Sequence, residues 1–349
     1  MANIMLTSVC NLHCPYCFAN EFVNQSSSEI TEQSFRKAMD FILGDGSERS
    51  VGLIGGEPTT HSQFEKLLRI ALVDPRAEVV SLYTNGAFLD RFFSLMCHEK
   101  LRLLVNCNST ANMGQAAFYK MRDNLDELIL NRLQKNHITL GINMYKPDFS
   151  YEYILELLQR YEYHYVRVSI SVPNMDDQRN QNAHHYFESI KPQMKRFFHE
   201  LLRNDIVPNF DCNKIPSCMI TNDEREEFSQ YLLRPGISKA KHKTNIFSNY
   251  VSCSPVVDIM QDLTAVRCFG LSEHTKQPIS QFFGIKELKN YYMRTIDAYA
   301  CNTAYSGMCT SCYLRNVAQC NGGCLAFKIN DIIELRDNVE TLLCGKFCV

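Results

Sequence analysis

Through roughly the first 200 residues, short apolar runs alternate with longer stretches whose apolar positions recur at helical spacing. Asn3 to Val9 predicts a strand. Thr31 opens a helix with Phe35, Ala38, Met39, Ile42 and Leu43 on one face, stapled by Ile30 and Phe35 around the Thr31 cap and ended by Gly44. Val51 to Ile54 predicts a second strand, and Thr60 with Gln63 a capping box for a helix carrying Phe64, Leu67, Leu68 and Ala71. Val79 to Tyr83 predicts a third strand, followed by a helix to about Cys97, and Leu101 to Val105 a fourth. Phe118, Met121, Leu125 and Leu128 lie on a long helix before a fifth strand, Ile138 to Ile142. Ile154, Leu157, Leu158 and Tyr161 mark the next helix, and Tyr165 to Ser171 the sixth strand.

Repeated strand–helix units imply a parallel sheet with helical crossovers. The expected fold class is α/β, a partial (β/α)6 barrel of the TIM type, open on one side, with its reactive face at the C-terminal strand ends. After Ser171 the pattern breaks into a polar loop, Asn174 to Asn182. A helix with Phe187, Ile190, Met194, Phe197 and Leu201 follows, with Pro192 inside it or near its start. From about Asp205 the chain reads as irregular and cysteine-rich. The expected domains are a barrel over 1–204 and a smaller cysteine-rich domain over 205–349, with a bridging region at 205–250.

The chain has 349 residues, 45% of them hydrophobic, which is enough for a large core. A formal net charge of −2 gives no whole-chain nucleic-acid footprint, so no nucleic-acid partner is expected. No apolar run approaches the roughly 18 residues that span a membrane. Met1-Ala2-Asn3-Ile4 lacks a charged region and an apolar stretch of the signal-peptide kind, which makes the cytoplasm the expected compartment. Sixteen cysteines in such a chain point to metal or cluster ligation rather than to a disulfide framework.

Cys10, Cys14 and Cys17 are spaced C-x3-C-x2-C at the end of the first strand. Three thiolates on one loop can hold three irons of a 4Fe-4S cluster and leave the fourth iron open. A zinc site and three buried structural thiols are the alternatives, although zinc sites usually add a second cysteine pair. Gly55-Gly56-Glu57-Pro58 ends the second strand, where glycines permit close backbone approach and a carboxylate can accept from an ammonium. Thr84-Asn85-Gly86 ends the third, which an ordinary strand-terminating turn would also explain.

With Tyr16 before the third cysteine and Gly55-Gly56-Glu57-Pro58 about 40 residues on, the chain resembles the radical SAM superfamily. The resemblance implies that Cys10, Cys14 and Cys17 hold a SAM-binding 4Fe-4S cluster, and that Gly55, Gly56, Glu57 and Pro58 hold the amino group of S-adenosylmethionine (SAM). It counts Tyr16, Thr84 and Asn85 among the SAM contacts, places Phe18 to Asn20 beside the adenine, and puts Asn108, Ser109, Asn143 and Arg167 at the ribose and carboxylate. Arg167, in an otherwise apolar strand, calls for an anionic partner.

A second cysteine set comprises Cys253, Cys268, Cys309, Cys312, Cys320, Cys324, Cys344 and Cys348, with Gly322-Gly323 before Cys324. It resembles the SPASM domain, an extension carrying two auxiliary 4Fe-4S clusters. By that resemblance Cys253, Cys268 and Cys324 hold the first auxiliary cluster, and Cys309, Cys312, Cys320 and Cys344 the second. Two departures stand out: the gap between Cys312 and Cys320 is longer than in the family, and Leu263 stands where the family has glycine. The first set lacks a fourth ligand, which Cys301, Cys348, Cys212 or Cys218 could supply, unless that position is open for substrate. For Cys212 and Cys218, as for Cys97 and Cys107, a buried thiol is the simpler reading. A zinc module is the alternative for Cys309 to Cys324.

The resemblance implies three 4Fe-4S clusters, reductive cleavage of SAM to methionine and a 5'-deoxyadenosyl radical, and hydrogen abstraction from a substrate. The expected substrate is a ribosomally made peptide undergoing thioether or carbon–carbon crosslinking or oxidation. The expected partners are that peptide, a one-electron reductant of flavodoxin or ferredoxin type, and a separate leader-binding protein, since the first strand begins at Asn3 without a preceding leader-binding domain. A sulfatase-maturing role is disfavoured because Phe269 stands where those enzymes carry Asp. The alternatives are a sugar or alcohol dehydrogenase or epimerase and a non-catalytic iron–sulfur redox protein, which would leave Gly55-Gly56-Glu57-Pro58 unexplained.

Overall fold

The computed structural model describes residues 2–17, 19–171, 183–210, 216–238, 253–272, 275–298, 309, 311–320 and 323–326. The chain divides into two compact units, 1–140 with 255–293, and 141–254 with 294–349. The fold class is α/β with a predominantly parallel sheet, as expected.

In the first unit, β1 (Ala2–Met5), β2 (Ser50–Ile54), β3 (Val79–Thr84) and β4 (Leu101–Asn106) pair in parallel in that order. On the other side of β1 lies β8 (Val257–Ile259), also parallel, and then antiparallel β9 (Thr264–Val266) and β10 (Gln277–Pro278). So a strand from beyond the boundary expected near Asp205 completes the first unit's sheet. All four residues of β1 are buried, as a central strand covered on both faces requires. A cross-strand rank fixes its register: Asn3 lies opposite Gly52 on β2 and Asp258 on β8. The Asn3 amide donates to Asp258 Oδ1 at 2.7 Å, and a Cβ on Gly52 would stand 2.9 Å from Asn3 Cγ.

Helix α1 (Glu32–Leu43) starts where expected, with Thr31 Oγ1 accepting from the Ser34 amide at 3.1 Å. Its apolar face, Phe35, Ala38, Met39 and Ile42, is buried. Helix α2 (Phe64–Val73) departs from expectation, since Gln63 makes no side-chain cap. The Thr60 hydroxyl instead donates to the carbonyls of Glu57 (2.8 Å) and Val9 (3.1 Å). The helix expected up to Cys97 is only a 3-10 turn, Leu89–Phe92, and one helical turn, Phe93–Met96. Helix α3 (Gln115–Asp126) buries Phe118, Met121 and Leu125.

The second unit contains β5 (Ile138–Met144) from Gly141 on, β6 (Tyr165–Ile170) and β7 (Val207–Phe210), all parallel. Helix α4 (Glu152–Arg160) joins β5 to β6, and α5 (Ala183–Arg203), with Pro192 inside it, precedes β7. The stretch from Asp205 is more regular than its pattern suggested. β7 is four residues long and contains Pro208, which masks its strand signature. Helix α6 (Asn222–Leu232) opens with a full capping box, Thr221 with Glu224, a legible signal that the sequence reading passed over. Helix α7 (Ile285–Tyr292) belongs to the first unit.

Candidate active site

The loops after β1, β2, β3 and β4 carry the four leading sequence motifs, and these loops are tied to one another. After β1 the chain leaves the ladder but stays anchored on both sides. Leu6 N donates to Ile54 O, Gly56 N to Thr7 O and Glu57 N to Val9 O, each at 2.8 Å. On the other side Ile30 N donates to Leu6 O and Asn24 N to Ser8 O, also at 2.8 Å. The cysteine loop is therefore a rigidly stemmed turn.

The glycines of Gly55-Gly56-Glu57-Pro58 serve this stem. A Cβ on Gly55 would stand 2.8 Å from Thr7 O, and one on Gly56 2.6 Å from the Val9 carbonyl carbon and 2.9 Å from Cys10 N. Two backbones meet here with no space for a side chain. The close approach inferred from the sequence is thus made, in the first instance, to the stem of the chain's own cysteine loop.

Glu57 is the hub of the strand ends. Its side chain is 1% exposed. Oε1 accepts from Thr84 Oγ1 (2.7 Å), Thr59 Oγ1 (2.6 Å) and Thr59 N (3.2 Å), and Oε2 from Asn85 N (2.7 Å). Burial pushes its pKa up, against the lowering effect of the Asn85 amide and the Thr59 and Thr84 donors. One carboxylate so fixes the loop after β2 to the loop after β3. Pro58 starts the 3-10 turn Pro58–Thr60 that Glu57 caps. Asn85 then reaches the cysteine loop, its Nδ2 donating to Asn11 Oδ1 at 2.8 Å. Gly86 has φ +80°, a conformation open to glycine.

The loop after β4 also reaches the cysteines. The Tyr16 hydroxyl donates to Asn108 Oδ1, and Asn108 Nδ2 lies 4.0 Å from Cys14 Sγ. Ser109 is buried beside it and precedes the short helix Thr110–Met113. Phe18 lies outside the described residues. Asn24 is a functional position that sequence reasoning missed. Its Oδ1 accepts from Cys10 N at 2.8 Å, and its φ of +60° suits Asn better than most residues. Its signal was an Asn in the polar Asn24-Gln25-Ser26-Ser27-Ser28 run.

The cysteine loop rests on an apolar floor. Cys10 and Cys17, with Phe22 and Ile54, pack against Met5, Ala19, Val23, Met260 and Phe269. Phe22 and Phe269 have ring centroids 6.0 Å apart, and Lys276 sits over the Phe22 ring. Burial, with smaller contributions from Glu57, Cys14 and Cys17 and against the Leu12 amide, pushes Cys10 up to about 12. Burial and then Cys17 push Cys14 up to about 11, and burial raises Cys17. Three thiols so placed stay protonated unless a positively charged group draws them into thiolates. Among the described residues no three His, Cys, Asp or Glu groups converge on a single-ion site. A 4Fe-4S cluster, which binds each cysteine through a different iron, fits this donor set without such convergence.

In the second unit, Asn143 and Arg167 come together at neighbouring strands. Arg167 Nη1 donates to Asn143 Oδ1 at 3.2 Å, and Ser169 Oγ to the same oxygen at 2.5 Å. One partner of Arg167 is thus a neutral amide oxygen, that of Asn143. Cys309, Cys312 and Cys320 form a local knot. Cys312 N donates to Cys309 O at 3.3 Å, and Cys320 N to Leu314 O at 3.0 Å, across the helical turn Tyr313–Asn316. Cys253 and Cys324 also belong to this unit, whereas Cys268 caps a 3-10 turn, Phe269–Leu271, of the first. Cys301, Cys344, Cys348 and Cys212 lie outside the described residues. Cys107 is buried, as expected.

Comparison with known proteins agrees with this geometry. The radical SAM superfamily model matches residues 4–120, the span holding all four tied loops. Residues 4–120 are a radical SAM domain. Among curated proteins, a GTP 3',8-cyclase of Chlorobaculum tepidum is 37% identical over 89 residues, 25% of this chain and 26% of that protein. A 7,8-dihydro-6-hydroxymethylpterin dimethyltransferase of Methanocaldococcus jannaschii is 36% identical over 90 residues, 25% of this chain and 17% of that protein. The chain thus spans about a quarter or less of the length of these curated relatives. Among solved structures, anSMEcpe with bound AdoMet shares the fold, with a TM-score of 0.63 at 14% identity, covering 99% of this chain and 98% of that one. SuiB of Streptococcus suis bound to the precursor peptide SuiA has a TM-score of 0.60 at 16% identity, covering 93% of this chain and 71% of that one. The radical SAM class carries with it a 4Fe-4S cluster and SAM. No helix among the described residues is long and apolar enough to cross a membrane.

Proposed function

We propose that the chain is a radical SAM enzyme that abstracts hydrogen from a ribosomally made peptide, leading to a thioether or carbon–carbon crosslink or an oxidised side chain. The observation that carries the reading is the tying of the cysteine loop to the ends of β2, β3 and β4 through Gly55-Gly56, Glu57, Asn85 and Asn108. A 4Fe-4S cluster with SAM at this place supplies one-electron cleavage of the sulfonium and a 5'-deoxyadenosyl radical. Cys10, Cys14 and Cys17 hold three of its irons. The rigid stem from Leu6 to Cys10 would hold the loop that carries these three cysteines in place. Glu57 holds the strand ends in register. Its carboxylate is already shared among four donors, so backbone groups of the Gly55-Gly56-Glu57 turn meet the SAM amino group. Tyr16, Thr84, Asn85, Asn108 and Ser109, all at the strand ends of the first unit, would supply polar groups for SAM. The apolar floor under Cys10 and Cys17 excludes water from the reacting region.

The C-terminal cysteines act as ligands of two auxiliary clusters in a SPASM-like domain, Cys253, Cys268 and Cys324 in one set and Cys309, Cys312 and Cys320 in the other. Leu263 supports this reading. It stands where that domain's pattern has glycine, and its φ is +65°, the conformation that glycine adopts readily. The backbone demand persists although the residue has changed. SuiB, whose fold the chain shares, binds a precursor peptide, which favours a peptide substrate here. An external reductant of flavodoxin or ferredoxin type and a separate leader-binding protein complete the scheme, in the cytoplasm. A second reading, a small-molecule substrate, is favoured by the GTP 3',8-cyclases that match about a quarter of this chain.

The test is anaerobic reconstitution of the full chain, with iron counted and 5'-deoxyadenosine measured after addition of SAM and dithionite. About twelve irons per chain with 5'-deoxyadenosine formed is the expected result. A fully loaded protein that forms none, with or without candidate peptides, overturns the enzymatic reading. Turnover stimulated by a sugar, alcohol or nucleotide but by no peptide selects the second.

A further inference from the structure

We propose that Asn143, Arg167, Ser169 and Asn209 form a substrate-recognition site that binds the amide groups of a peptide chain crossing the ends of β5, β6 and β7. The inference rests on the reading of the substrate as a peptide, and it gives Asn143 and Arg167 a role other than the SAM contacts that the resemblance implies. The site lies within the second unit. β6 pairs with β5 and β7 on its two sides, with Ser169 opposite Asn143, and Arg167 opposite both Gly141 on β5 and Asn209 on β7. Side chains alternate between the two faces of a strand, so these four polar groups share one face. The other face carries Ile142, Met144, Val166, Val168 and Ile170, all fully buried, and Phe210, whose ring meets that of Phe198 on α5 with centroids 5.9 Å apart. Asn143, Ser169 and Asn209 are each the last residue but one of their strand, at the C-terminal ends where folds of this kind place their reactions.

Strands of parallel sheets are commonly apolar on both faces, so folding alone calls for no polar rank here. Arg167 Nη1 and Ser169 Oγ both donate to Asn143 Oδ1, at 3.2 and 2.5 Å. Gly141, opposite Arg167, has no side chain to obstruct that reach. With its oxygen so occupied, the Asn143 amide is held with Nδ2 as its remaining donor. On the other side of Arg167, Asn209 is partly exposed, but its Oδ1 is buried and accepts no hydrogen bond among the described residues. A buried acceptor without a donor destabilises a fold, and a ligand that pairs with it removes the penalty. An anion brings no donor. An amide does: its N–H meets Asn209 Oδ1, and its carbonyl meets an asparagine Nδ2. Asn143 and Asn209 stand two strand spacings apart, roughly 10 Å, the span of about three residues of extended chain. A single small amide reaches one of them, whereas a peptide reaches both. The frame is fixed beforehand. The Tyr186 hydroxyl donates to Ser171 O at 3.0 Å and reaches Tyr145 O at 3.3 Å, which ties together the chain just beyond β5 and β6. A preformed site spares part of the ordering cost of binding.

The experiment compares the full chain, anaerobically reconstituted, with its Asn209→Leu variant, which keeps a branched side chain without polar atoms. The probes are the capped tripeptide N-acetyl-triglycine amide and guanosine, whose base carries one amide edge, each followed by saturation-transfer NMR. The tripeptide should bind the unmutated protein, with a Kd raised about tenfold in Asn209→Leu. The melting temperature of the variant should be equal or higher, because the unpaired acceptor is gone. Asn209→Ala, which cannot overpack the site, should weaken binding alike and guards against a Leu variant that misfolds. Tripeptide binding unchanged in both variants overturns the proposal and leaves the peptide-modifying reading to its own turnover test. Weaker SAM binding with unchanged tripeptide binding gives the rank to SAM and overturns the proposal as well. Binding of guanosine that depends on Asn209, with no binding of the tripeptide, overturns both the proposal and the peptide reading.

Discussion

The two groups of cysteines are held by different means. The thiols of the cysteine loop after β1 are placed by long-range hydrogen bonds, from Gly56, Glu57, Thr60, Asn85 and Asn108, up to 94 positions away. The knot of Cys309, Cys312 and Cys320 is closed by its own short turns, Cys312 to Cys309 and Cys320 to Leu314. The first geometry exists only once the sheet has formed. The second includes bonds between residues close in sequence. A reaction that must aim a reactive group at one atom calls for the first kind of rigidity. A site that only stores or passes an electron is served by the second.

Breaking the first region should have the larger effects. Cys14→Ala should remove about four irons per chain and abolish 5'-deoxyadenosine formation, while the signals of the C-terminal clusters persist. Loss of all cluster signals together would mean that the two regions do not form independently.

A pair of glycine substitutions sharpens the contrast. In Gly56→Ala the new methyl meets the Val9 carbonyl carbon at 2.6 Å and Cys10 N at 2.9 Å, both backbone atoms that cannot step aside alone. A cost of about 3 kcal/mol in chemical denaturation is expected, with loss of the N-terminal cluster. In Gly323→Ala the nearest atom is 3.5 Å away, in ordinary contact, and the cost is the strain of φ +86°, about 1 kcal/mol. Similar losses in both would contradict the contrast.

Acid should move the two units in opposite directions. In the first, burial pushes Asp258 up to about 7, although Asn3 and the Phe269 amide favour its charged form. Its folded pKa lies above the unfolded value of 3.8, so native protein binds the proton more tightly between these values. The contribution of Asp258 to the first unit is therefore fully present below 3.8 and is lost as pH rises to about 7. In the second, burial opposes the charge of Glu224, but the Thr221 amide and Lys191 prevail and hold its carboxyl below the ordinary value. The hydrogen bond from Lys195 does the same for Glu227. Their contribution is present above the ordinary carboxylate range and is lost as pH falls through it; being partly exposed, it is small. Hydrogen exchange between pH 4 and 7, after correction for intrinsic rates, should show β1 and β8 peptides gaining protection toward acid while α5 and α6 peptides lose it. Parallel changes in both, or a pH dependence unaltered in Asp258→Asn, would remove Asp258 from the account.

The smallest effect concerns Leu263, a branched residue at φ +65° in the turn between β8 and β9. Leu263→Gly should raise stability by about 1 kcal/mol or less, since only glycine occupies this region without strain. A lower melting temperature in this variant would mean that the Leu263 side chain contributes more by packing than its backbone loses.

The sequence by itself determined the α/β class, most strands and helices of the first 170 residues, and the radical SAM domain. Those features rest on local periodicity and on contiguous motifs such as Cys10, Cys14 and Cys17, whose chemistry is carried by their spacing. Strands β7 to β10 escaped because two to four residues, with a proline in β7 and another in β10, carry too little pattern to be read. The helix expected up to Cys97 came out as two short turns, and Thr60 left its expected capping role to bind the Val9 carbonyl. Only the tertiary structure decided that Glu57 is the hub of the strand ends and that Asn24 holds Cys10. Each of these is a contact between residues far apart in sequence. Its energy comes from burial and from pairing polar groups away from water, conditions that no local pattern of residues records.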